Sequence, residues 1–186
     1  SKADVLNYVE MIPAVHKLGT EGYDGRGVQM IRTAADTDKA FDRPGILEKC
    51  IDFQTEISVI VARNERGEVA TYPSVELSFH PEANLVEFLF SPAELTPEIE
   101  IKAQGLAVEV ISKLEMIGLL AVEMFLTREG ELLVNEVAPR THNSGHHTIE
   151  ANQTSQFEQH LRAVLNLAPS FRFCGDVDTD NSEKLI

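Results

Sequence analysis

Residues 119–136 decide the fold, with the sequence Leu-Leu-Ala-Val-Glu-Met-Phe-Leu-Thr-Arg-Glu-Gly-Glu-Leu-Leu-Val-Asn-Glu. Two apolar strands flank the dipeptide Glu129-Gly130, which predicts a hairpin with a two-residue turn. In that register Glu123 lies directly opposite Glu136 on one face of the sheet. Like charges so placed destabilise a sheet, and a divalent cation such as Mg²⁺ held between the carboxylates removes the conflict. The alternative is a solvated face on which each glutamate meets water or a basic side chain.

The hairpin lies between two predicted helices. Thr96 and Pro97 supply an N-cap and a proline at the first helical position, and apolar residues recur at spacings of three and four until Gly118. After the hairpin, a capping box of Ser155 and Glu158 starts a second helix. Upstream, the patterns predict strands at 14–18, 27–31, 46–50, 56–62, 69–72 and 86–90 and short helices at 4–12 and 37–41. This order of elements predicts an α+β fold with mainly antiparallel sheets.

A glycine-rich loop follows the first predicted strand. Residues 19–27 read Gly-Thr-Glu-Gly-Tyr-Asp-Gly-Arg-Gly, and Lys17 precedes them on the strand. Gly22, Gly25 and Gly27 let the backbone approach a ligand closely, and loop N–H groups with a lysine suit phosphates. The spacing matches neither the P-loop nor the dinucleotide fingerprint, so an ordinary turn is the alternative. The phosphate interpretation therefore depends on the acid pair in the hairpin.

A polar segment follows the second strand of the hairpin directly. It contains Arg140, His142 and Asn143 within residues 136–148. Arginine offers a planar pair of donors to a carboxylate, bicarbonate or phosphate, and histidine and asparagine add further donors. Zinc binding is one alternative, although no cysteine joins the histidines and helical i, i+4 spacing is missing; a plain polar surface loop is the other. We predict that these side chains lie next to the group that the metal and phosphates activate.

A charged connector follows the strand predicted at 46–50. Glu48, Lys49 and Ile51 lie at this strand end, and Glu56 begins the next strand. Backbone groups of such a connector can bind adenine, and a glutamate can accept hydrogen bonds from ribose hydroxyls or the adenine amine. Ordinary strand-end charges are the alternative, and the pattern alone does not separate the two.

The 186-residue chain is acidic, with 16 Lys and Arg against 30 Asp and Glu and a formal net charge of −14. Its composition, 43% hydrophobic and 25% charged, is typical of a folded globule. An acidic field repels phosphate backbones and anionic lipids, so we expect no nucleic-acid or membrane partner. The two cysteines lack metal-site spacing, which favours a reduced, cytoplasmic location.

Together these motifs resemble the ATP-grasp superfamily and, within it, the family of 5-(carboxyamino)imidazole ribonucleotide synthase, the ATPase subunit of phosphoribosylaminoimidazole carboxylase. The resemblance spans residues 12–168. It departs from the family pattern at Thr141, at His147 and at Arg26, where the family commonly has proline, tryptophan and lysine. The matching segments are Lys17 and residues 22–27, 47–49, 56–59, 121–125, 135–146 and 154–163.

The resemblance implies a fold in which a small lobe closes over ATP against a larger lobe. It implies a ligase of de novo purine synthesis: ATP activates bicarbonate as carboxyphosphate, and the exocyclic amine of aminoimidazole ribonucleotide captures the carboxyl group. It assigns Mg²⁺ to Glu123 and Glu136; ATP to Lys17, Gly22, Gly25, Gly27, Glu48, Lys49, Ile51 and Glu56; the ribonucleotide to Tyr23, Asp24 and Arg26; and bicarbonate chemistry to Arg140, His142 and Asn143.

The resemblance also implies a domain organisation. Residues 1–52 would form the small lobe, 53–168 the large lobe and 169–186 a tail. The family's N-terminal nucleotide-fold domain and its basic C-terminal segment have no counterpart here, so we expect a fragment of a longer enzyme, and the family suggests a homodimer. Two other functions stay open: a formate-dependent glycinamide ribonucleotide transformylase and a non-catalytic module that binds magnesium and nucleotide.

Overall fold

The structure, a computed structural model, describes residues 1–20, 27–79 and 86–169. The predicted tail lies outside these ranges, apart from Pro169. Five residues with predicted roles also lie outside them: Gly22, Tyr23, Asp24, Gly25 and Arg26. Their roles therefore stay predictions from the sequence.

The chain divides into two compact units, of which the first contains the described residues up to Asp52 together with Phe79 and residues 86–87. Its strand β1 is the centre of an antiparallel sheet with the order β2-β1-β3. Val5, Ile31 and Ala40 form its buried core. In chain order its elements are α1 (Lys2–Val5), a 3₁₀ helix (Leu6–Met11), β1 (Ala14–Leu18), β2 (Val28–Ile31), a second 3₁₀ helix (Ala34–Lys39) and β3 (Gly45–Lys49).

The second unit contains Phe53–Ser78 and residues 88–169 among those described. The remaining strands form one six-stranded sheet with the order β7-β6-β4-β8-β9, and β5 pairs with β4. Among the described residues no helix is long and apolar enough to cross a membrane. The elements are β4 (Phe53–Arg63), β5 (Val69–Thr71), β6 (Val75–Phe79), β7 (Val86–Phe90), α2 (Pro97–Lys113), β8 (Gly118–Thr127), β9 (Leu132–Ala138), a 3₁₀ helix (Asn143–Gly145), α3 (Thr148–Ala151) and α4 (Gln156–Val164).

The main core lies between α2 and the two central strands of the larger sheet. Residues 56–62 of β4 and almost all of β8 are buried, and because successive side chains point to opposite faces, both faces of these strands are covered. Small alanines on α2 let the helix lie close to the sheet. The buried cluster consists of Ile57, Val59 and Val61 on β4, Leu120, Val122 and Met124 on β8, and Ala103, Ala107 and Ile111 on α2.

The structure confirms the α+β class, and every described strand pairing is antiparallel. Helix α2 ends at Lys113, earlier than the predicted end at Gly118. The reason is a left-handed residue, Glu115 at φ 49°, after which Gly118 at φ 121° starts β8. Strand β6 was not predicted, since its alternation covers only five residues after a proline.

Gly105 in α2 tests whether a residue that restricts the unfolded chain stabilises this helix. A Cβ atom built there meets no atom within 4 Å, so alanine restricts the unfolded chain without a clash. We expect Gly105→Ala to raise the free energy of unfolding in urea by about 0.5–1 kcal/mol. The matched control is Gly130→Ala, which should lower it because Gly130 has φ of 81°. Equal effects of the two substitutions would contradict the argument.

Candidate functional site

The hairpin of β8 and β9 places Glu123 opposite Glu136, as predicted, but by a different route. Its loop has three residues, 128–130, and Gly130 adopts φ of 81° to close it. The strands therefore leave the loop one residue out of the predicted register. A β-bulge at Asn135 moves the register back, so that the two glutamates pair. The predicted two-residue turn is wrong, and the predicted pairing is confirmed.

Polar side chains gather on one face of the larger sheet, which we call the carboxylate face: Glu56, Ser58, Glu123, Asn135 and Glu136. Ser58 pairs with Glu123 across β4 and β8, and Glu56 lies two residues before Ser58 on the same side. Glu56, Ser58 and Glu123 are 6%, 1% and 8% exposed. The amide of the bulged Asn135 donates to Oε1 of Glu56 at 2.9 Å. Glu136, by contrast, is exposed.

A chain of polar contacts connects the carboxylate face with the loop after β9. Oε1 of Glu123 lies 3.4 Å from Nε2 of His142. Nδ1 of the same ring lies 2.9 Å from Oγ of Ser144, and that hydroxyl lies 2.9 Å from Oγ of Ser58. All four side chains are buried. The sequence therefore brings a histidine from the loop onto a carboxylate of the sheet.

The contacts of His142 assign its tautomer. The backbone N–H of Ser144 is directed at Nδ1 of His142 at 3.4 Å, so Nδ1 is an acceptor. With Nδ1 as an acceptor, the ring donates through Nε2, the atom that faces Glu123. In this arrangement His142 orients the carboxylate of Glu123.

The other predicted residues of this loop make contacts within the loop itself. Arg140 is exposed, and its Nη1 donates to the carbonyl of Thr141 at 3.0 Å. Oδ1 of Asn143 accepts from the backbone N–H of Ser144 at 3.1 Å. Both side chains lie at the surface next to His142 in the chain, where they are available to a ligand.

In the first unit, Lys17 and Glu48 lie on adjacent strands and form an ion pair of 2.7 Å between Nζ and Oε2. The carbonyl of Gly27, a residue at φ 77°, accepts a hydrogen bond from the N–H of Leu18, which joins the end of β1 to the residue before β2. Lys49 is exposed and Ile51 is half-buried. Lys17 and Glu48 therefore neutralise each other in this unit, and a polyanionic ligand would compete with the carboxylate for the ammonium group.

Directly before Lys17 in the chain, His16 is buried against this sheet. Its ring is 2% exposed, and Nδ1 accepts from the N–H of Phe41 at 3.3 Å. Burial lowers the pKa of His16, with repulsion from the N-terminal ammonium as a smaller cause. The ring is thus a neutral core group, and it lies on the opposite side of β1 from Lys17.

The residues of the carboxylate face fit a magnesium ion. Two carboxylates, Glu123 and Glu136, supply oxygen ligands from opposite strands, and Mg²⁺ in nucleotide sites takes one or two carboxylates plus phosphate oxygens. Among the described residues there is no cluster of three or more His, Cys, Asp or Glu that could enclose a metal. Glu123 and Glu136 are therefore too few to enclose a structural metal, but they suit a magnesium ion that arrives with a phosphate ligand.

Three residues of this site have no role in the sequence prediction. Ser58 is a polar residue within an apolar strand, and that interruption is the signal that could have identified it. Asn135 belongs to a bulge, and no sequence pattern reveals that its side chain turns to Glu56. Ser144 lies in the polar segment, where only the three-dimensional contact with His142 distinguishes it from its neighbours.

Comparison with known proteins identifies the family. The sequence profile of the ATP-grasp domain matches residues 3–157. The chain belongs to the ATP-grasp family. Solved structures agree with the fold: an ADP complex of N5-carboxyaminoimidazole ribonucleotide synthetase has a TM-score of 0.82 and 40% identity, covering 91% of this chain and 46% of that chain. The enzyme of Aspergillus clavatus with ADP and 5-aminoimidazole ribonucleotide has a TM-score of 0.79 and 33% identity, with 90% and 44% covered.

Curated relatives of this ATP-grasp chain carry related names. N5-carboxyaminoimidazole ribonucleotide synthase of Bacillus subtilis is 46% identical over 160 residues, which cover 84% of this chain and 42% of that protein. Phosphoribosylaminoimidazole carboxylase of Schizosaccharomyces pombe is 42% identical over 160 residues, with 83% and 29% covered. The chain thus spans less than half the length of these relatives.

The pairing of Glu123 with Glu136 predicts that repulsion between the two carboxylates lowers the stability of the metal-free protein. Glu136→Gln removes one of two like charges on paired residues, so in the presence of chelator it should raise the free energy of unfolding by about 0.2–1 kcal/mol. The matched control is Glu131→Gln, which removes a charge from the same hairpin opposite Thr127. Salt should reduce the gain by screening the repulsion. A stability gain equal to that of the control, measured in urea, would show that the two carboxylates do not repel each other.

Proposed function

We propose that this chain is the nucleotide-binding part of an enzyme that carboxylates aminoimidazole ribonucleotide with bicarbonate and ATP. A bicarbonate oxygen attacks the γ-phosphorus of ATP and ADP leaves, which forms carboxyphosphate. The exocyclic amine of the ribonucleotide then takes the carboxyl group, loses a proton and releases phosphate. The named relatives and the complexes with ADP and the ribonucleotide support this choice of reaction and substrates.

One observation carries the proposal: Glu123 and Glu136 oppose each other on an apolar sheet, and His142 of the following loop lies on Glu123. This arrangement gives two carboxylates to a cation and places a donor-rich loop directly beside it. Mg²⁺ bound there would neutralise charge on the phosphates during transfer. Around it, Arg140, His142 and Asn143 would hold the bicarbonate-derived group with charge-assisted and neutral hydrogen bonds.

The residues to which the family resemblance assigns ATP lie between Lys17 and Glu56 in the sequence. Lys17 would neutralise phosphate charge, and the glycine loop that ends at Gly27 would bind phosphates through its N–H groups. Phe125 pairs with Glu56 and stacks on Phe53 at 4.4 Å between ring centroids, so an apolar surface lies beside the carboxylate that we assign to adenosine. Such a surface suits a base and a ribose hydroxyl.

Several finer assignments complete the proposal. Residues 1–52 would form the small lobe and residues 53–168 the large lobe. Tyr23, Asp24 and Arg26 would contact the ribonucleotide, and Glu48, Lys49 and Ile51 the adenosine. The protein would act in the cytoplasm, with a homodimer as the assembly that the family suggests.

The metal assignment predicts the nucleotide binding of Glu136→Gln. Calorimetric titration of the protein with ADP should show binding that requires Mg²⁺ and is lost in excess chelator. Glu136→Gln should weaken this binding by about tenfold or more, because one of two metal carboxylates becomes a weaker neutral ligand. The control Glu131→Gln should bind as the unchanged protein does. Equal binding by Glu136→Gln, with the same magnesium dependence, would remove Glu136 from the metal site.

The bicarbonate assignment predicts a separate effect for Arg140. Arg140→Ala should leave the affinity for Mg²⁺ and ADP within about twofold, because the guanidinium hydrogen-bonds to the carbonyl of Thr141 in its own loop and we assign it to bicarbonate. It should lower bicarbonate-dependent phosphate release from ATP by about a hundredfold, the usual cost of removing a transition-state donor. Arg140→Lys, which keeps the charge but loses the planar pair of donors, should fall between the two. A parallel loss of ADP binding and turnover would place Arg140 at the nucleotide instead.

A further inference from the structure

Gln156, the first residue of α4, has no role in the proposed chemistry, yet its side chain is completely buried. Its Oε1 accepts from the backbone N–H of His142 at 2.8 Å, and its Nε2 donates to the carbonyl of the same residue at 2.7 Å. One carboxamide therefore satisfies both backbone groups of one residue, as a paired residue of a neighbouring strand does. Glutamine can do this because its amide carries a donor and an acceptor side by side.

A second set of bonds ties the same helix start to the loop. Oγ1 of Thr148 accepts from the backbone N–H of Gln156 at 2.9 Å and donates to the carbonyl of Gly145 at 2.6 Å. Gly145 packs so closely that a Cβ atom there would lie 2.7 Å from the amide carbon of Gln156. The loop from His142 to Thr148 is thus held at two backbone points by buried groups.

These bonds determine where the ring of His142 can lie. With its backbone held by Gln156, the ring reaches Ser144 on one side and Glu123 on the other. Gln156 itself is 0% exposed, so it acts through His142. A loop that is already ordered costs no further ordering when a reacting group binds, and small displacements of such groups have large effects on rate.

We propose that Gln156 is a positioning residue: its amide fixes the backbone of His142 so that Arg140, His142 and Asn143 meet the bicarbonate-derived group in the reactive geometry. This inference rests on the proposed function and deepens it. It assigns to Gln156 an effect on the chemical step that is separate from nucleotide affinity. A purely structural role would change stability, binding and turnover together.

The test compares Gln156→Met with Gln159→Met. Methionine keeps the length of the side chain but pairs with neither backbone group of His142. Gln159 is also fully buried on α4, so its substitution controls for the general loss of a buried amide. For both variants we would measure amide hydrogen exchange at His142, calorimetric affinity for ADP with Mg²⁺, and kcat and KM for bicarbonate-dependent phosphate release.

Gln156→Met should increase amide exchange at His142 by about tenfold, the cost of one hydrogen bond. It should lower kcat by about tenfold or more while ADP affinity and the KM for ATP change by less than about threefold. Gln159→Met should lose stability without this selective loss of kcat. An unchanged kcat in Gln156→Met, or a parallel loss of kcat and ADP affinity in both variants, would overturn the proposal.

A second pair of variants covers the case in which Gln156→Met does not fold. Thr148→Val removes the hydroxyl that joins Gln156 to Gly145, and Thr148→Ser keeps it. Loss of kcat in the valine variant with recovery in the serine variant supports the proposal, and equal kcat in both overturns it. If the unsubstituted longer enzyme that contains this chain releases no bicarbonate-dependent phosphate, the proposed function fails by itself. Amide exchange at His142 then tests by itself whether Gln156 fixes the backbone of His142. Faster exchange in Thr148→Val than in Thr148→Ser supports this role, and equal exchange overturns it.

Discussion

Two glutamates that face each other across apolar strands set the physical constraint on which the rest of the site depends. The pairing of Glu123 and Glu136 is unfavourable in isolation, since like charges on paired residues repel. It persists because β8 is held between β4 and β9, and a slip of β8 by one residue would turn Glu123 toward the apolar core under α2. The stability of the sheet therefore holds the two carboxylates in a position that a bound cation would make favourable.

The loop after β9 is ordered by buried polar groups. Backbone groups that leave a strand lose their ladder partners, and buried ones need new partners. At His142 the side chain of Gln156 replaces the missing strand, while the paired hydroxyls of Ser58 and Ser144 join the loop to β4. Because each partner is buried and bonded, the network has little freedom to rearrange. Such a loop can hold reactive groups still without a bound ligand to order it.

Because the chain is strongly acidic, the binding of an anion depends on local contacts. At a net charge of −14 the overall field repels nucleotides, so affinity must come from short-range contacts. Lys17, Arg140 and a magnesium ion between carboxylates would provide them. In the described structure Lys17 is occupied by Glu48. If a phosphate group took the place of Glu48 beside Lys17, the ammonium group would bind the polyanion. The carboxylate of Glu48 would then be available to accept a hydrogen bond from a hydroxyl or an amine.

Local patterns in the sequence determined most of the secondary structure and the residue types of the site. Strand β1 was predicted with its observed bounds, the N-terminal end of α2 follows from Thr96 and Pro97, and two acids in apolar strands indicated a cation. The tertiary structure decided the rest. The three-residue loop and the bulge at Asn135 compensate each other, and alternation alone cannot distinguish that pair from a regular hairpin. The hydrogen bond between Ser58 and Ser144 joins residues 86 positions apart, and the bonds between Gln156 and His142 join residues 14 positions apart. A hydrogen bond between distant residues leaves no periodic pattern in the chain, because it depends on how whole elements pack.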